Sequence, residues 1–248
     1  MVYARTLGST TYTFQVSGKL WRNSLIMVDR ETGTLWSQVT GRAIDGKHRG
    51  AQLEKMAAIQ TTWQEWRAVH PGSQVLKKSE DVLGSPYQGY FDDPDRMGLF
   101  RAQWVADRMP GKTLVYGAAV GSSAIAMTEE AFDGSGLIGS ELGGVSFVAF
   151  RGPDGGVRAY FTRIDGEDIE LVLNHETGGF RDGDGSTWDL ANGRCINGPR
   201  AGASLKSLAV TPVYWFAWSS FFPNTQVIDQ PEHRAGDVRS VPPRDIGY

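Results

Sequence analysis

Displaced by 152 positions, the stretch from Gly33 to Leu76 falls on the stretch from Gly185 to Ile228 without a gap. The matched residues include Gly33/Gly185, Trp36/Trp188, Gly41/Gly193, Arg42/Arg194, Gly46/Gly198, Gly50/Gly202, Leu53/Leu205, Trp63/Trp215, Trp66/Trp218 and Pro71/Pro223. Three of these pairs are tryptophan, so chance is a poor explanation and an internal duplication the direct one. A period of about 150 residues is far too long for a solenoid. It predicts two similar halves related by a pseudo-twofold axis.

The boundaries expected from this reading are a first repeat half over residues 1–79, a connecting loop over 80–112, a second half over 113–228 and a polar C-terminal tail over 229–248. About forty residues of strand pattern, from Lys112 to Arg151, precede the second copy, whereas the first copy begins almost at once. The first half is therefore expected to start mid-module and to be N-terminally incomplete. A sheet short of strands has an open edge, which invites a partner protein or a second copy to pair with it.

Within this frame the chain reads as β-rich α+β, each half an antiparallel sheet with one Trp-bearing helix packed on it. With 31 Gly, 8 Trp, 8 Tyr and 11 Phe among 248 residues, the composition suits short strands joined by tight turns. Strands are expected in two runs around Gly8-Ser9, at Leu25 to Val28, at Leu35 to Val39 with Arg42 to Ile44, at Gln52 to Ile59, at Thr113 to Ala119, Ala124 to Met127 and Val145 to Phe150, and at Val157 to Ile164 with Ile169 to Leu173. Asp29 to Gly33 reads as a turn in which Asp29 accepts nearby backbone donors. Thr61 or Thr62 caps a helix that Pro71 stops. Trp63 and Trp66, three apart, share one face of that helix, which is expected to be the buried one. The second helix, Val213 to Phe222, is apolar nearly all round, so it is buried on every side or covered by a partner.

A formal net charge of −3 leaves no electrostatic footprint for nucleic acid. No apolar run reaches the length of a membrane span, and the N-terminus lacks the layout of a signal peptide. As written, the chain is expected to stay in the cytoplasm, or to be exported if the true start lies upstream. The single Cys195 has no partner for an internal disulfide and reads as a small buried side chain.

The run Ser17-Gly-Lys-Leu-Trp-Arg-Asn-Ser-Leu-Ile-Met-Val-Asp-Arg-Glu-Thr-Gly-Thr-Leu-Trp-Ser-Gln-Val-Thr-Gly-Arg-Ala-Ile-Asp-Gly46 resembles a prokaryotic family, domain-of-unknown-function family 3179. Thr62-Trp-Gln-Glu-Trp to His70-Pro71, Pro86-Tyr-Gln-Gly-Tyr90 and Met109-Pro-Gly-Lys112 follow that family's later motifs in the same order. The resemblance covers most of the chain and implies a family fold, not an established activity. It also implies a Cys-Pro-x-Cys type motif on a strand just ahead of this chain's first residues, often behind an export signal. This sequence carries neither, so a metal or redox site of that kind has no basis here unless a second chain supplies it.

The four histidines, His48, His70, His175 and His233, are not at metal-ligand spacing, and no metal ligand set is assigned. Asp182, Asp184 and Ser186 have the alternation of a calcium loop, but Gly193 stands where its bidentate Glu belongs, so a glycine-rich turn is the better reading. The candidate catalytic residues are Asp29, Arg30 and His70; Asn23, Trp36, Gln38, Arg42 and Tyr90 are the candidate ligand contacts. Tyr87 and Asp92 line the same expected site or anchor the connecting loop. Two readings stay open. One is a small-molecule or metal-associated enzyme, redox chemistry included, with its site on the first half and a cofactor the sequence does not name. The other is a non-catalytic binding or assembly subunit that completes its sheet, or covers its apolar helix, with a partner chain.

Overall fold

Turn chemistry sets the strand boundaries. The loop Arg22-Asn23 holds both residues at positive φ, 52° and 58°, as a two-residue hairpin turn with matching twist demands. It joins β4 (Phe14–Trp21) to β5 (Ser24–Asp29), with Trp21 opposite Ser24. Ahead of it lie β1 (Val2–Tyr3) and the small hairpin of β2 (Thr6–Leu7) and β3 (Thr10–Thr11). After it come β6 (Leu35–Ser37), β7 (Ala43–Asp45), β8 (Lys55–Met56) and α1 (Trp63–Val69). The computed structural model describes residues 1–77, 85–99, 106–133, 136–174 and 179–230. His175, His233 and the tail beyond Gln230 lie outside the described residues.

The connector contains one short helix, α2 (Gln88–Asp92). Then follow β9 (Leu114–Val120), β10 (Ser123–Thr128), β11 (Leu137–Leu142), β12 (Val145–Arg151), β13 (Val157–Phe161), β14 (Arg163–Ile164), β15 (Glu167–Asp168), β16 (Leu171–Asn174), β17 (Gly179–Asp182), β18 (Thr187–Trp188), β19 (Cys195–Asn197), β20 (Thr211–Tyr214), α3 (Trp215–Phe221) and β21 (Gln226–Ile228). The sheets β4-β5-β6-β7, β11-β12-β13 and β16-β17-β18-β19 and the pair β9-β10 are antiparallel, whereas β10 pairs with β21 in parallel. The chain is thus a β-rich α+β protein with several small antiparallel sheets, as its composition predicts. The residue pattern does not announce β11, which carries little of the β-branched signal, nor β15, β17, β20 and β21; β20 includes Val213 and Tyr214, expected to open the second helix.

Two compact units emerge. Unit 1 comprises Met1–Met56, His70–Leu114 and Val213–Pro223; unit 2 comprises Ala57–Val69, Val115–Pro212 and the residues from Asn224 on. So α1, which follows the first sheet in the chain, belongs to unit 2, and α3, which follows the second, belongs to unit 1.

Each unit holds a four-stranded sheet, in the order β4-β5-β6-β7 in unit 1 and β16-β17-β18-β19 in unit 2. Their bonding agrees position by position. Gly41 N–H donates to Ser37 O and Gly193 N–H to Asp189 O; Ala43 N–H donates to Ala51 O and Cys195 N–H to Ala203 O; Leu53 N–H donates to Gly41 O and Leu205 N–H to Gly193 O. The agreement also runs upstream of Gly33. Hairpin β2–β3 corresponds to β14–β15, and Tyr3 opposite Lys55 corresponds to the bridge of Tyr160 with Ser207.

The two helices are held differently. In unit 1, Trp215 and Trp218 are 0% exposed. Trp215 Nε1 donates to Ala106 O at 2.8 Å, and Phe216 N–H to Gly111 O at 2.8 Å, so residues at the end of the connector bind the apolar helix within the chain. Arg22 and Arg108 donate to the carbonyls of Ser220 and Pro223, cationic partners for the helix C-terminus. In unit 2, α1 starts with a capping box: Thr62 Oγ1 accepts from Glu65 N–H and Glu65 Oε2 accepts from Thr62 N–H, both at 3.2 Å. The expectation of a buried Trp63 face does not hold. Trp63 is 47% exposed and no residue of α1 is buried. The helix is anchored through its N-terminal end instead. Thr61 donates to Asp154 O, and Glu65 and Ile59 lie directly on Gly155 and Gly156, where a Cβ would clash.

Gly198 and Gly202 offer a matched test of what glycine does here. Both have φ above 90°, but a Cβ on Gly198 would stand 2.5 Å from Ser186 Cα, whereas one on Gly202 would meet nothing within 4 Å. Gly202→Ala should cost the backbone strain alone, about 1–3 kcal/mol. Gly198→Ala should cost clearly more, as read from chemical denaturation midpoints of the two variants.

Candidate functional site

Of the residues singled out from sequence, Asp29 is the most constrained. It is 0% exposed at the end of β5. Its Oδ1 accepts from Thr32 N–H at 2.6 Å and Thr32 Oγ1 at 2.7 Å, and its Oδ2 from Trp36 Nε1 at 2.9 Å. Burial pushes the Asp29 carboxyl up, but the bonds from Trp36 and Thr32 outweigh it and hold it below the usual carboxylate range. Trp36, itself 0% exposed, is thereby a core residue.

Asp182 accepts a matching set of bonds in unit 2. Its Oδ1 accepts from Ser186 N–H at 2.8 Å and Asp184 N–H at 3.1 Å, and its Oδ2 from Trp188 Nε1 at 3.1 Å. The ungapped displacement sets Asp29 against Arg181; the structure pairs it with Asp182, because the turn from Asp29 to Trp36 is one residue longer than that from Asp182 to Trp188. The residues 182–186 form a turn around Asp182, in accord with the glycine-rich reading.

The other candidates are spread through the framework. Arg30 is exposed and its Nε donates to Gln15 Oε1 at 3.0 Å. Gln38 accepts the Tyr3 hydroxyl on its carbonyl, and Arg42 is exposed beside the β6–β7 turn. Asn23 forms the β4–β5 turn. Tyr90 is half-buried in α2, with Lys112 Nζ 4.0 Å from its ring centroid and bonded to its carbonyl. Tyr87 is 66% exposed, and Gln88 donates to Asp92. His70 is exposed after α1. No group of three metal-ligating side chains occurs among the described residues.

Two polar clusters escaped the sequence reading because their members are far apart in the chain. In unit 1, Tyr12 Oη and His48 Nε2 are 3.0 Å apart, with the His48 ring 6.3 Å from Trp36. Arg200, paired with Asp184 at 2.9 Å, takes the corresponding place in unit 2. Also in unit 2, the Tyr116 hydroxyl donates to Glu129 at 2.5 Å, and Arg151 binds Glu129 and the Gly155 carbonyl. These groups satisfy one another and pin the strands that bear them.

A different place is left unsatisfied. Ala4 N–H bonds Glu54 O at 2.9 Å on the β8 side of β1. Backbone groups alternate along a strand, so Tyr3 N–H and C=O and Arg5 N–H point the other way. Among the described residues nothing meets them. In unit 2 the corresponding Phe161 N–H bonds Lys206 O on one side, while on the other Tyr160 pairs with Val148 and Thr162 N–H donates to Ser146 O at 2.9 Å. Strand β12 occupies that edge.

The cores differ in the same place. In unit 2, Tyr160, Leu171, Phe180, Trp188, Cys195 and Leu205 are buried together with Val148 and Phe150 of β12. In unit 1, Trp36, Ala43 and Leu53 are buried, but Tyr3, Phe14 and Met27 are only partly so, and no described residue stands for Val148 and Phe150. The Tyr3 side chain is nonetheless fixed. Its hydroxyl donates to Gln38 O and Val39 O, both at 2.9 Å, and burial pushes its phenol well above the ordinary tyrosine range. Gly41 leaves room for its ring, as Gly193 does for that of Tyr160.

Fold and site thus define a β-rich α+β protein built of small sheets, with the outer edge of β1 unpaired among the described residues. The match of its residues 1–225 to the family described as a protein of unknown function, DUF3179, makes the chain a member of that family. No curated protein and no solved structure matches it. No helix among the described residues is long and apolar enough to cross a membrane.

A carboxyl held low in the folded state stabilises the fold above its unfolded pKa and loses that contribution as pH falls through the folded one. Asp29→Asn should therefore cost about 1–3 kcal/mol at neutral pH. The gap between variant and wild type should begin to narrow below about pH 4 and shrink further as pH falls through the lowered folded-state pKa of Asp29. Thermal melts of both proteins from pH 7 to pH 3 check this.

Proposed function

We propose that this chain is a non-catalytic binding or assembly subunit, built from a duplicated module, whose unit 1 completes its β1 edge with a strand from a partner. The observation that carries the reading is the bond accounting at Tyr3 and Arg5. Three backbone groups that point along one edge have no partner among the described residues, whereas their counterparts at Tyr160 and Thr162 are satisfied by β12. Each such bond contributes about 1 kcal/mol net when made, and the apolar side chains beneath the edge add the larger share. Strand addition to an exposed edge uses main-chain bonds for affinity and side-chain pockets for specificity.

The bonding of the proposed catalytic and ligand-contact residues points the same way. Asp29 already serves Thr32 and Trp36, and Asp182 repeats this service in unit 2 without the flanking Arg30 or His70. Burial of Trp215 and Trp218 of α3 within the chain leaves the strand edge, rather than the apolar helix, as the place for a partner.

Arg5→Pro tests the reading. The substitution removes one outward N–H and sets a ring on the edge, and Arg5 is exposed, so the core is untouched. Protein isolated under native conditions from its own source should have a mass above that of a single denatured chain, and the Arg5→Pro variant should revert to the single-chain mass. A single-chain mass for the unaltered protein, or an assembly that Arg5→Pro leaves intact, would contradict it.

A further inference from the structure

We infer that the exposed tryptophan face of α1 binds a segment of its own chain, residues 237–248, with Tyr248 at the start of the helix. This contact lies in unit 2, which holds both α1 and β21, the strand from which that segment departs. It is independent of what pairs with β1.

The template is α3 in unit 1. Trp63 and Trp66 of α1 match Trp215 and Trp218 of α3, yet Trp63 is 47% exposed and Trp215 is fully buried. What holds α3 comes in part from the residues that follow the first copy in the chain. Ala106 O accepts from Trp215 Nε1 and Gly111 O from Phe216 N–H. The Arg108 guanidinium lies 5.4 Å from the centroid of the Trp215 ring, a favourable place for a cation. Tyr90 reaches the start of the same helix. Burial pushes its phenol up, a backbone donor at Gly98 offsets part of the rise, and the neighbouring Tyr214 adds to it. Tyr214 is the N-cap of α3, and its match in the first copy is Thr62, the residue just before α1.

The two helices are exchanged between the units, α3 into unit 1 and α1 into unit 2. The same exchange assigns the residues that follow the second copy to α1, and their sequence carries the signature. Asp81-Val82, Pro86 and Gly89-Tyr90 recur in the same order as Asp237-Val238, Pro242 and Gly247-Tyr248. Three residues separate Val from Pro in both, and the stretch from Pro to Gly is two residues longer in the second. The duplication thus runs on past Ile228, and Tyr248 is the counterpart of Tyr90.

Reach and chemistry fit. The chain from Ile228 to Tyr248 spans up to about 66 Å when extended, ample for a compact unit with a radius of gyration of about 14 Å. Two indoles three residues apart on one helix face give a tyrosine ring an aromatic surface to pack on. A tethered segment also meets its site at a millimolar effective concentration, so it outcompetes the same segment of a second copy.

The photo-reactive residue p-benzoylphenylalanine in place of Tyr248 of the full chain tests the contact. Irradiation should link it to the tryptic peptide Met56–Arg67, which carries Trp63 and Trp66, with no change of chain mass on a denaturing gel. Hydroxyl-radical footprinting supplies the second readout. Oxidation of Trp63 should be slow in the unaltered chain and rise severalfold with Tyr248→Ala, while Trp215 and Trp218 stay protected in both. No link to that peptide would overturn the inference, as would equal oxidation of Trp63 in the two proteins. A link that doubles the chain mass would overturn it in favour of a second copy as the occupant. If Tyr248→Ala exposes Trp215 and Trp218 as well, the variant has lost its fold and the cross-link alone decides.

Discussion

The indole N–H of Trp36 lies where no water reaches it, and Asp29 is its acceptor. A buried indole donor without a partner carries a desolvation cost of about 1–3 kcal/mol, and a buried carboxylate without donors costs more. Each group is therefore tolerable only because the other is there. The pair fixes the turn between β5 and β6, since Asp29 also binds Thr32, and with the turn it fixes the register that brings Ala43 and Leu53 under the tryptophan. Asp182 and Trp188 impose the same solution on unit 2. Everything outward of these two pairs, from the Tyr3 and Tyr160 hydroxyls on neighbouring carbonyls to the glycines that make room for their rings, follows from where the tryptophans sit.

Much of this was legible in the sequence because the residues that build it have few substitutes. Gly41 and Gly193, Gly46 and Gly198, and Gly50 and Gly202 are matched in sequence, and each pair shares a positive φ. Thr62 with Glu65 spells a capping box. Asp29 as a turn acceptor is an ordinary property of that residue type. The upstream correspondence was not legible. Tyr3 and Tyr160 differ by 157 positions rather than 152, because the hairpin between β4 and β5 is longer than that between β16 and β17 and the turn after Asp29 adds one residue. Without coordinates, an ungapped comparison sets Asp29 against Arg181 and makes a repeated structural carboxylate look like a polar residue peculiar to one half.

The helices show where pattern reasoning reaches its limit. Trp63 and Trp66 have the spacing of a buried face, and the equivalent Trp215 and Trp218 occupy one. Burial, however, depends on what covers a stripe and not on the stripe itself. The Trp stripe of α3 is covered within the chain, with Ala106 and Gly111 bonded to it; α1 is anchored by its capping box and by two glycines, Gly155 and Gly156, on which Glu65 and Ile59 rest. Equivalent sequence positions have thus acquired different surroundings, and the open edge of β1 is another instance. Tyr3 keeps the hydroxyl bonds of Tyr160 but not the strand that lies beside it.

Site-resolved amide hydrogen exchange on the isolated chain tests most directly whether that edge is vacant. The account predicts that the amides of Tyr3 and Arg5 exchange orders of magnitude faster than those of Tyr160 and Thr162, while Ala4, bonded to Glu54, is protected like Phe161. Equal protection of Tyr3, Arg5, Tyr160 and Thr162 in the isolated chain would mean that the edge is already filled, and would contradict it.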